Sequence, residues 1–150
     1  MEEEHVMKKG QNGWHIAPVL IVQSVERSVC SYRDKLGFQI IGTFGSPLEM
    51  ASVGREGVQL MLQDGAGKPR PGSNRSYKSV AWDAHIWVEN VDALYDELGM
   101  RGATILKPPT VALYGNREIE VADLDGHVLC FGQLPSEKSR STQREREKQR

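Results

Sequence analysis

At 150 residues, with 39% hydrophobic side chains and a formal net charge of −1, the chain is long enough for one sizeable core and too short for two. No basic face stands out, which argues against a nucleic-acid partner, and no run approaches the roughly 20 apolar residues that a membrane span needs. Two cysteines, Cys30 and Cys130, cannot frame a disulfide scaffold, and the acidic start Met1-Glu2-Glu3-Glu4 lacks the pattern of a secretory signal, so the cytoplasm is the expected compartment.

Residues 1–13 mix charge with Gly10 and Gly13 without periodicity and are expected to form a flexible leader. Ile16 to Val22 is a short apolar run that predicts a strand, with Pro18 near its start. Ser24 is placed to cap a helix whose apolar positions Val25, Val29, Tyr32 and Leu36 form one stripe, and Gly37 ends it. Phe38–Phe44, Leu48–Val53 and Gly57–Gln63 read as three strands, the last two joined by a turn at Arg55-Glu56-Gly57. Residues 64–81 are rich in Gly, Pro, Ser and basic side chains and read as a surface connector.

The order then recurs. Asp83–Val88 predicts a strand, Asn90 an N-cap, and Val91, Leu94, Tyr95 and Leu98 the buried stripe of a second helix ending by Gly102. Ala103–Leu106 predicts a strand that Pro108-Pro109 breaks. From Tyr114 to Gly132 the chain reads as a hairpin: Glu118, Glu120 and Ala122 alternate with Ile119, Val121 and Asp123, Asp125-Gly126 turns, and Val128–Phe131 is richly apolar. Val22-x-x-Val25-Glu26 and Tyr32-x-Asp34-x-Leu36-Gly37 are echoed by Val88-x-x-Val91-Asp92 and Tyr95-x-Glu97-Leu98. The fold class is therefore α+β, with two βαβββ modules, 16–63 and 82–133, forming a curved mixed sheet around a cavity within a domain spanning 14–133. Residues 134–150 carry six basic and three acidic side chains without an apolar face and are expected to be a disordered, solvated tail.

Three stretches resemble one superfamily, that of glyoxalase, bleomycin-resistance proteins and extradiol dioxygenases, also called vicinal oxygen chelate proteins. They are Tyr32-Arg33-Asp34-Lys35-Leu36-Gly37-Phe38, the segment Ile86 to Tyr95, and Tyr114-Gly115-x-Arg117-Glu118 with Asp123-Leu124-Asp125-Gly126. The last two look most like the bleomycin-resistance branch. Leu124 stands where that family usually has proline, which softens the turn.

The resemblance implies where a metal would sit: metal-dependent members take one ligand from the first and one from the last strand of each module, using His, Gln or Glu. Counted from the matched motifs, those positions are Ala17, Met61, Asp83 and Cys130. Ala17 has no donor, and a thioether is a poor ligand for hard or borderline ions. His85 shares a strand face with Asp83, so Asp83, His85 and Cys130 form the alternative, a three-ligand divalent metal site with an open position.

Trp14 to Gln133 holds eleven basic and fourteen acidic residues, a weak negative field that tolerates a cationic ligand without selecting one. The expected function is small-molecule binding of the bleomycin-resistance type by sequestration, without cofactor, in a homodimer. Met61, Asp83, His85, Trp87, Tyr114, Arg117 and Cys130 are expected to line the pocket, and the ligand to be aromatic or cationic. Alternatives are a metal-dependent lyase or dioxygenase with a non-standard ligand set, and a structural or interaction module. Read from residue types alone, Arg117 and Glu118 are alternating exposed strand charges, Asp123 and Asp125 are turn formers, and His127 is exposed. Cys30 has no neighbouring base in sequence that would make it a catalytic thiol.

Overall fold

The computed structural model of the chain describes residues 13–69, 72–135 and 137–150, so the expected leader lies almost wholly outside the described residues. The first module runs β1 (Val19–Val22), α1 (Val25–Leu36), β2 (Gln39–Phe44), β3 (Met50–Arg55) and β4 (Val58–Asp64). The second runs β5 (Ala84–Trp87), α2 (Val91–Met100), β6 (Thr104–Val111), β7 (Arg117–Ala122) and β8 (Val128–Gln133). Each builds a four-stranded sheet in equivalent order, β1-β4-β3-β2 and β5-β8-β7-β6, with the first strand parallel to the last and the other pairs antiparallel. The α+β class and the repeated βαβββ plan thus stand, as two open sheets.

Local chemistry accounts for the helix ends. The Ser24 and Asn90 side chains accept hydrogen bonds from the amides of Arg27 and Ala93, which would otherwise be unpaired. Gly37 ends α1 with φ of 70°, and a Cβ there would lie 2.4 Å from Arg55 Nη1, so both conformation and space require glycine. All four predicted stripe residues of α1, Val25, Val29, Tyr32 and Leu36, are buried. In α2, Val91 and Leu98 are fully buried while Leu94 and Tyr95 are partly so. Leu20, Val53 and Leu62 of the first sheet and Ile86, Ile119, Leu129 and Phe131 of the second join these helices in one core, so the modules share a single apolar interior.

Three expectations are corrected. Pro108-Pro109 does not break the chain, because β6 continues through both. β6 is an edge strand, where a missing N–H costs no ladder bond, and register shifts on either side of Lys107 each absorb one extra residue. The tail is helical over Glu137–Lys148, here α3, with its described side chains exposed. Glu, Lys, Arg and Gln are good helix formers, so intrinsic propensity favours a helix with no face to bury. His127 is buried, at 6% exposure: its Nε2 lies 2.8 Å from the Ile21 carbonyl oxygen.

That histidine belongs to a clamp between the modules. Asp123 does form the turn, accepting from the amides of Asp125 and His127 at 2.9 and 2.8 Å. Its other oxygen accepts from the Tyr32 hydroxyl at 2.8 Å. Asp125 accepts from the Gln23 amide at 2.9 Å and the Ser28 hydroxyl at 3.3 Å. On a second side of the junction, Arg55 forms a two-pronged pair with Glu97 and also donates to the Leu36 carbonyl. Replacing Asp125 by alanine leaves the part-buried Gln23 amide and the buried Ser28 hydroxyl without their acceptor. We expect Asp125→Ala to lower stability by about 2–4 kcal/mol, read from the urea midpoint; an unchanged midpoint would mean that the apolar core alone holds the modules together.

A candidate ligand-binding site on the open face of the second sheet

Strand alternation decides which side chains face away from α2. Ile86, Ile119, Val121, Leu129 and Phe131 point into the core, so their neighbours point outward to the open face. The register then sets rows across that face. One row is His85, Cys130, Glu120 and Lys107; the next is Trp87, Gly132, Glu118 and Thr110.

Glu118 sits at the centre of this face. It is 1% exposed, the Tyr114 hydroxyl donates to its two carboxylate oxygens at 2.6 Å each, His85 Nε2 lies 3.3 Å from Oε2, and Lys107 Nζ lies 3.8 Å from Oε1. Glu120 is also buried. It accepts from Arg75 Nη2 at 2.8 Å and Trp82 Nε1 at 3.3 Å, with Lys107 at 3.6 Å. Burial opposes the ionisation of Glu120, but Arg75, Lys107 and Trp82 outweigh it and hold its pKa below the usual glutamate value. The Tyr114 hydroxyl moves the other way, raised by burial and by its bond to Glu118, so it stays protonated as a donor. Burial, then Glu118 and Glu120, push the Cys130 thiol up to about 12.

His85 is held between two indoles, its ring centroid 4.9 Å from that of Trp82 and 4.5 Å from that of Trp87. Its ring lies over Gly132, where a Cβ would come within 2.7 Å of Cε1 and 2.9 Å of Nε2. His85, Glu118 and Cys130 each bring one donor atom to a common point, all within 4.8 Å of one another.

Of the expected pocket residues, the structure brings together His85, Trp87, Tyr114 and Cys130. Met61 lies on the other sheet, in β4. Arg117 is on the opposite face of β7 and pairs with Asp92 of α2 through Nε and Nη2 at 2.8 and 2.9 Å. Asp83 closes the connector, accepting from the Ser73 hydroxyl, the Asn74 amide and the Val128 amide at 2.5, 2.8 and 2.7 Å. The carboxylate beside His85 and Cys130 is therefore Glu118 and not Asp83. Glu118 was expected to be exposed; two residues from Glu120 on the same strand face, it is covered by Tyr114, His85 and Lys107, which no strand pattern reveals. Its register was readable, since a turn at Asp125-Gly126 sets Glu120 opposite Cys130 and Glu118 opposite Gly132. Arg75 and Lys107 come from the connector and from β6, and no motif marks them.

The register also identifies the equivalent positions of the two modules. Cys130 pairs with His85 as Met61 pairs with Val19, and Glu118 faces Gly132 as Met50 faces Gln63. Val19 is thus the counterpart of His85, as Ala17 is of Asp83, and the first module places Val19, Met50 and Met61 where the second has His85, Glu118 and Cys130.

The sequence signature of the Glyoxalase/Bleomycin resistance protein/Dioxygenase superfamily matches residues 14–131. The chain belongs to this superfamily. No curated protein matches it by sequence. Among solved structures, TioX from Micromonospora sp. ML1 superimposes with a TM-score of 0.64 at 23% identity, covering 81% of this chain and 98% of that one. The bleomycin-binding protein from bleomycin-producing Streptomyces verticillus, complexed with copper(II)-bleomycin, gives 0.62 at 24% identity, covering 81% and 97%. A superfamily member from Sphaerobacter thermophilus DSM 20745 gives 0.63 at 20%, covering 81% and 98%. At these identities the likeness establishes the glyoxalase/bleomycin-resistance fold.

A divalent-metal site with ligands from both modules does not fit this member of the superfamily, because Val19 has no donor and Met50 and Met61 offer only thioethers. A cleft of about 430 Å³ at the module junction, lined by Phe38, Arg55, Val58, Val88, Leu94 and Glu97 among others, includes none of His85, Glu118 and Cys130.

Two predictions follow from the packing of this face. Gly132→Ala would push the His85 ring off β8 and cost about 1–3 kcal/mol by overpacking, read as a lower urea midpoint with altered tryptophan fluorescence; unchanged stability and emission would show that the ring has room to move. Burial raises the pKa of Asp83, but the Asn74 amide, the Ser73 hydroxyl and the Val128 amide more than offset it, and the net pKa lies below the ordinary value. Ionised Asp83 therefore stabilises the fold above the unfolded pKa of about 3.9, and that contribution is lost as pH falls through the lower folded pKa. Asp83→Asn is expected to lower stability at neutral pH and to flatten the acid limb of a stability–pH profile; an acid limb as steep as that of the unsubstituted protein would contradict this.

Proposed function

We propose that the protein binds a small planar ligand, aromatic or cationic, over the open face of the second sheet and acts by sequestration. The observation that carries this is the pairing of two buried carboxylates, Glu118 and Glu120, with the ring surfaces of Trp82, Trp87 and Tyr114 on one face. The two carboxylates hold the Tyr114 hydroxyl and the Trp82 indole N–H and add negative charge beneath the face, and the ring faces so positioned stack on planar systems and attract cations. Trp87 and Tyr114 are both about half exposed, at 53% and 52%, which leaves ring surface free for a ligand. Superfamily membership and the shared fold of the bleomycin-binding proteins support the same reading.

A homodimer is part of this proposal. Val19 and Phe44 lie on the open face of the first sheet and, like Trp87 and Tyr114 on the second, are half or more exposed. A second copy would cover such apolar faces and close the cavity. The alternative, a metal-dependent lyase or dioxygenase, would have to work without the first module's donors. No helix among the described residues is long and apolar enough to cross a membrane.

The test is a thermal-shift screen of planar aromatic cations, aromatic acids and thiols, run in the presence of a chelator. A true ligand at about a hundredfold its Kd stabilises by about 2.7 kcal/mol and raises Tm by several degrees. Trp87→Ala, at an exposed position, is expected to weaken that ligand about tenfold. If no compound moves Tm, a structural or interaction role gains; if Trp87→Ala leaves affinity unchanged, the ligand sits elsewhere.

A further inference from the structure

We propose that His85, Glu118 and Cys130 form a binding site for a thiophilic divalent cation, zinc, contained wholly in the second module and leaving one coordination position open to the face above it. The site rests on the residues of the reading just given and not on its ligand.

The donor set is the first argument. Imidazole, carboxylate and thiolate together suit zinc, whereas a hard ion prefers oxygen alone. Charge is the second. Zinc would displace the Cys130 proton to solvent, and the thiolate and the Glu118 carboxylate would then balance its two positive charges. Geometry is the third. A tetrahedral zinc with bonds of about 2.0–2.3 Å places its ligand atoms about 3.3–3.8 Å apart. His85 Nε2 and Glu118 Oε2 already stand at 3.3 Å, and no pair among the three exceeds 4.8 Å, so closing the site needs a shift of about 1 Å.

Pre-organisation is the fourth. Trp82 and Trp87 fix the His85 ring, Gly132 gives it room, and Tyr114 donates to Glu118, as partners behind a metal's ligands do. A carboxylate has about four acceptor sites, so Glu118 can keep the Tyr114 hydroxyl while binding an ion. Lys107 and Arg75 are the positive groups facing the site: Arg75 lies against Glu120, and Lys107 lies 3.6 Å from Glu120 and 3.8 Å from Glu118 Oε1, the oxygen that does not face His85, so an ion on Oε2 would meet it across the carboxylate. The equivalent positions of the first module, Val19, Met50 and Met61, hold no such set, which confines the ion to one module.

Cobalt titration of chelator-treated protein tests this, with Co²⁺ as the spectroscopic stand-in for Zn²⁺. The expected result is one equivalent bound per chain, a sulfur-to-cobalt charge-transfer band, and its loss on adding Zn²⁺. Cys130→Ser should abolish the band, Cys30→Ser should keep it, and Glu118→Gln should weaken zinc binding about tenfold or more. Absence of the band in the unsubstituted protein, a band that follows Cys30, or a Glu118→Gln variant binding zinc as tightly as its parent would each overturn the proposal. The first of these needs no variant, so a misfolded substitution cannot hide a failure. Because the ligand screen is run in chelator, loss of the metal site and loss of the sequestration reading show up separately.

Discussion

The arrangement of this molecule depends on two buried carboxylates in one turn. Asp123 folds the β7–β8 hairpin by accepting from the amides of Asp125 and His127 and, with its other oxygen, holds the Tyr32 hydroxyl, while both oxygens of Asp125 hold the first module through the Gln23 amide and the Ser28 hydroxyl. A turn made only to reverse the chain would leave those oxygens to solvent. Here they fix the hairpin against α1, and the hairpin carries Glu118, Glu120 and Cys130 to the open face. Burial raises the pKa of Asp123, with His127, Tyr32 and the turn amides opposing it. Burying such a carboxylate is costly unless its partners are well placed, which makes the clamp specific as well as strong.

The two modules show how one topology can carry opposite chemistry. Strand order, the register of the first, third and fourth strands of each module and the helix N-caps are equivalent, yet the face of the first sheet presents Val19, Met50 and Met61 where the second presents His85, Glu118 and Cys130. Helix packing constrains only the residues on the other side of each strand. Inward positions at the middle of the strands are therefore apolar in both modules, with Arg55 and Arg117 at strand ends pairing with α2, and outward positions are free to diverge. Function follows from that freedom, so superfamily membership gives the scaffold and leaves the activity to the face.

Most of the scaffold was legible in the chain. Stripe spacing, caps, glycine stops and the Asp125-Gly126 turn are local signals, and α1, α2, β7 and β8 lie where those signals put them. Pro108-Pro109 misled because proline is judged by the ladder it would break, and a lone strand pattern does not say which strand is an edge. His127 misled for a similar reason: a turn residue is exposed by default, and only the approach of β1 buries it. Asp83 and Glu118 exchanged expected roles. Both are carboxylates near His85, and only the folded connector, with Ser73 and Asn74 arriving over Asp83, decides which of them remains beside the histidine.

The sequence by itself determined the repeated βαβββ order, the core stripes and the superfamily, because these rest on periodicities of 2.0 and 3.6 and on motifs written in contiguous residues. Tertiary structure alone decided that Glu118 is buried, that Arg117 turns to α2, and that His85, Glu118 and Cys130 converge. Those facts depend on three strands meeting in register and on side chains from the connector and β6 covering them. Such contacts join residues far apart in the chain, and no local pattern encodes them.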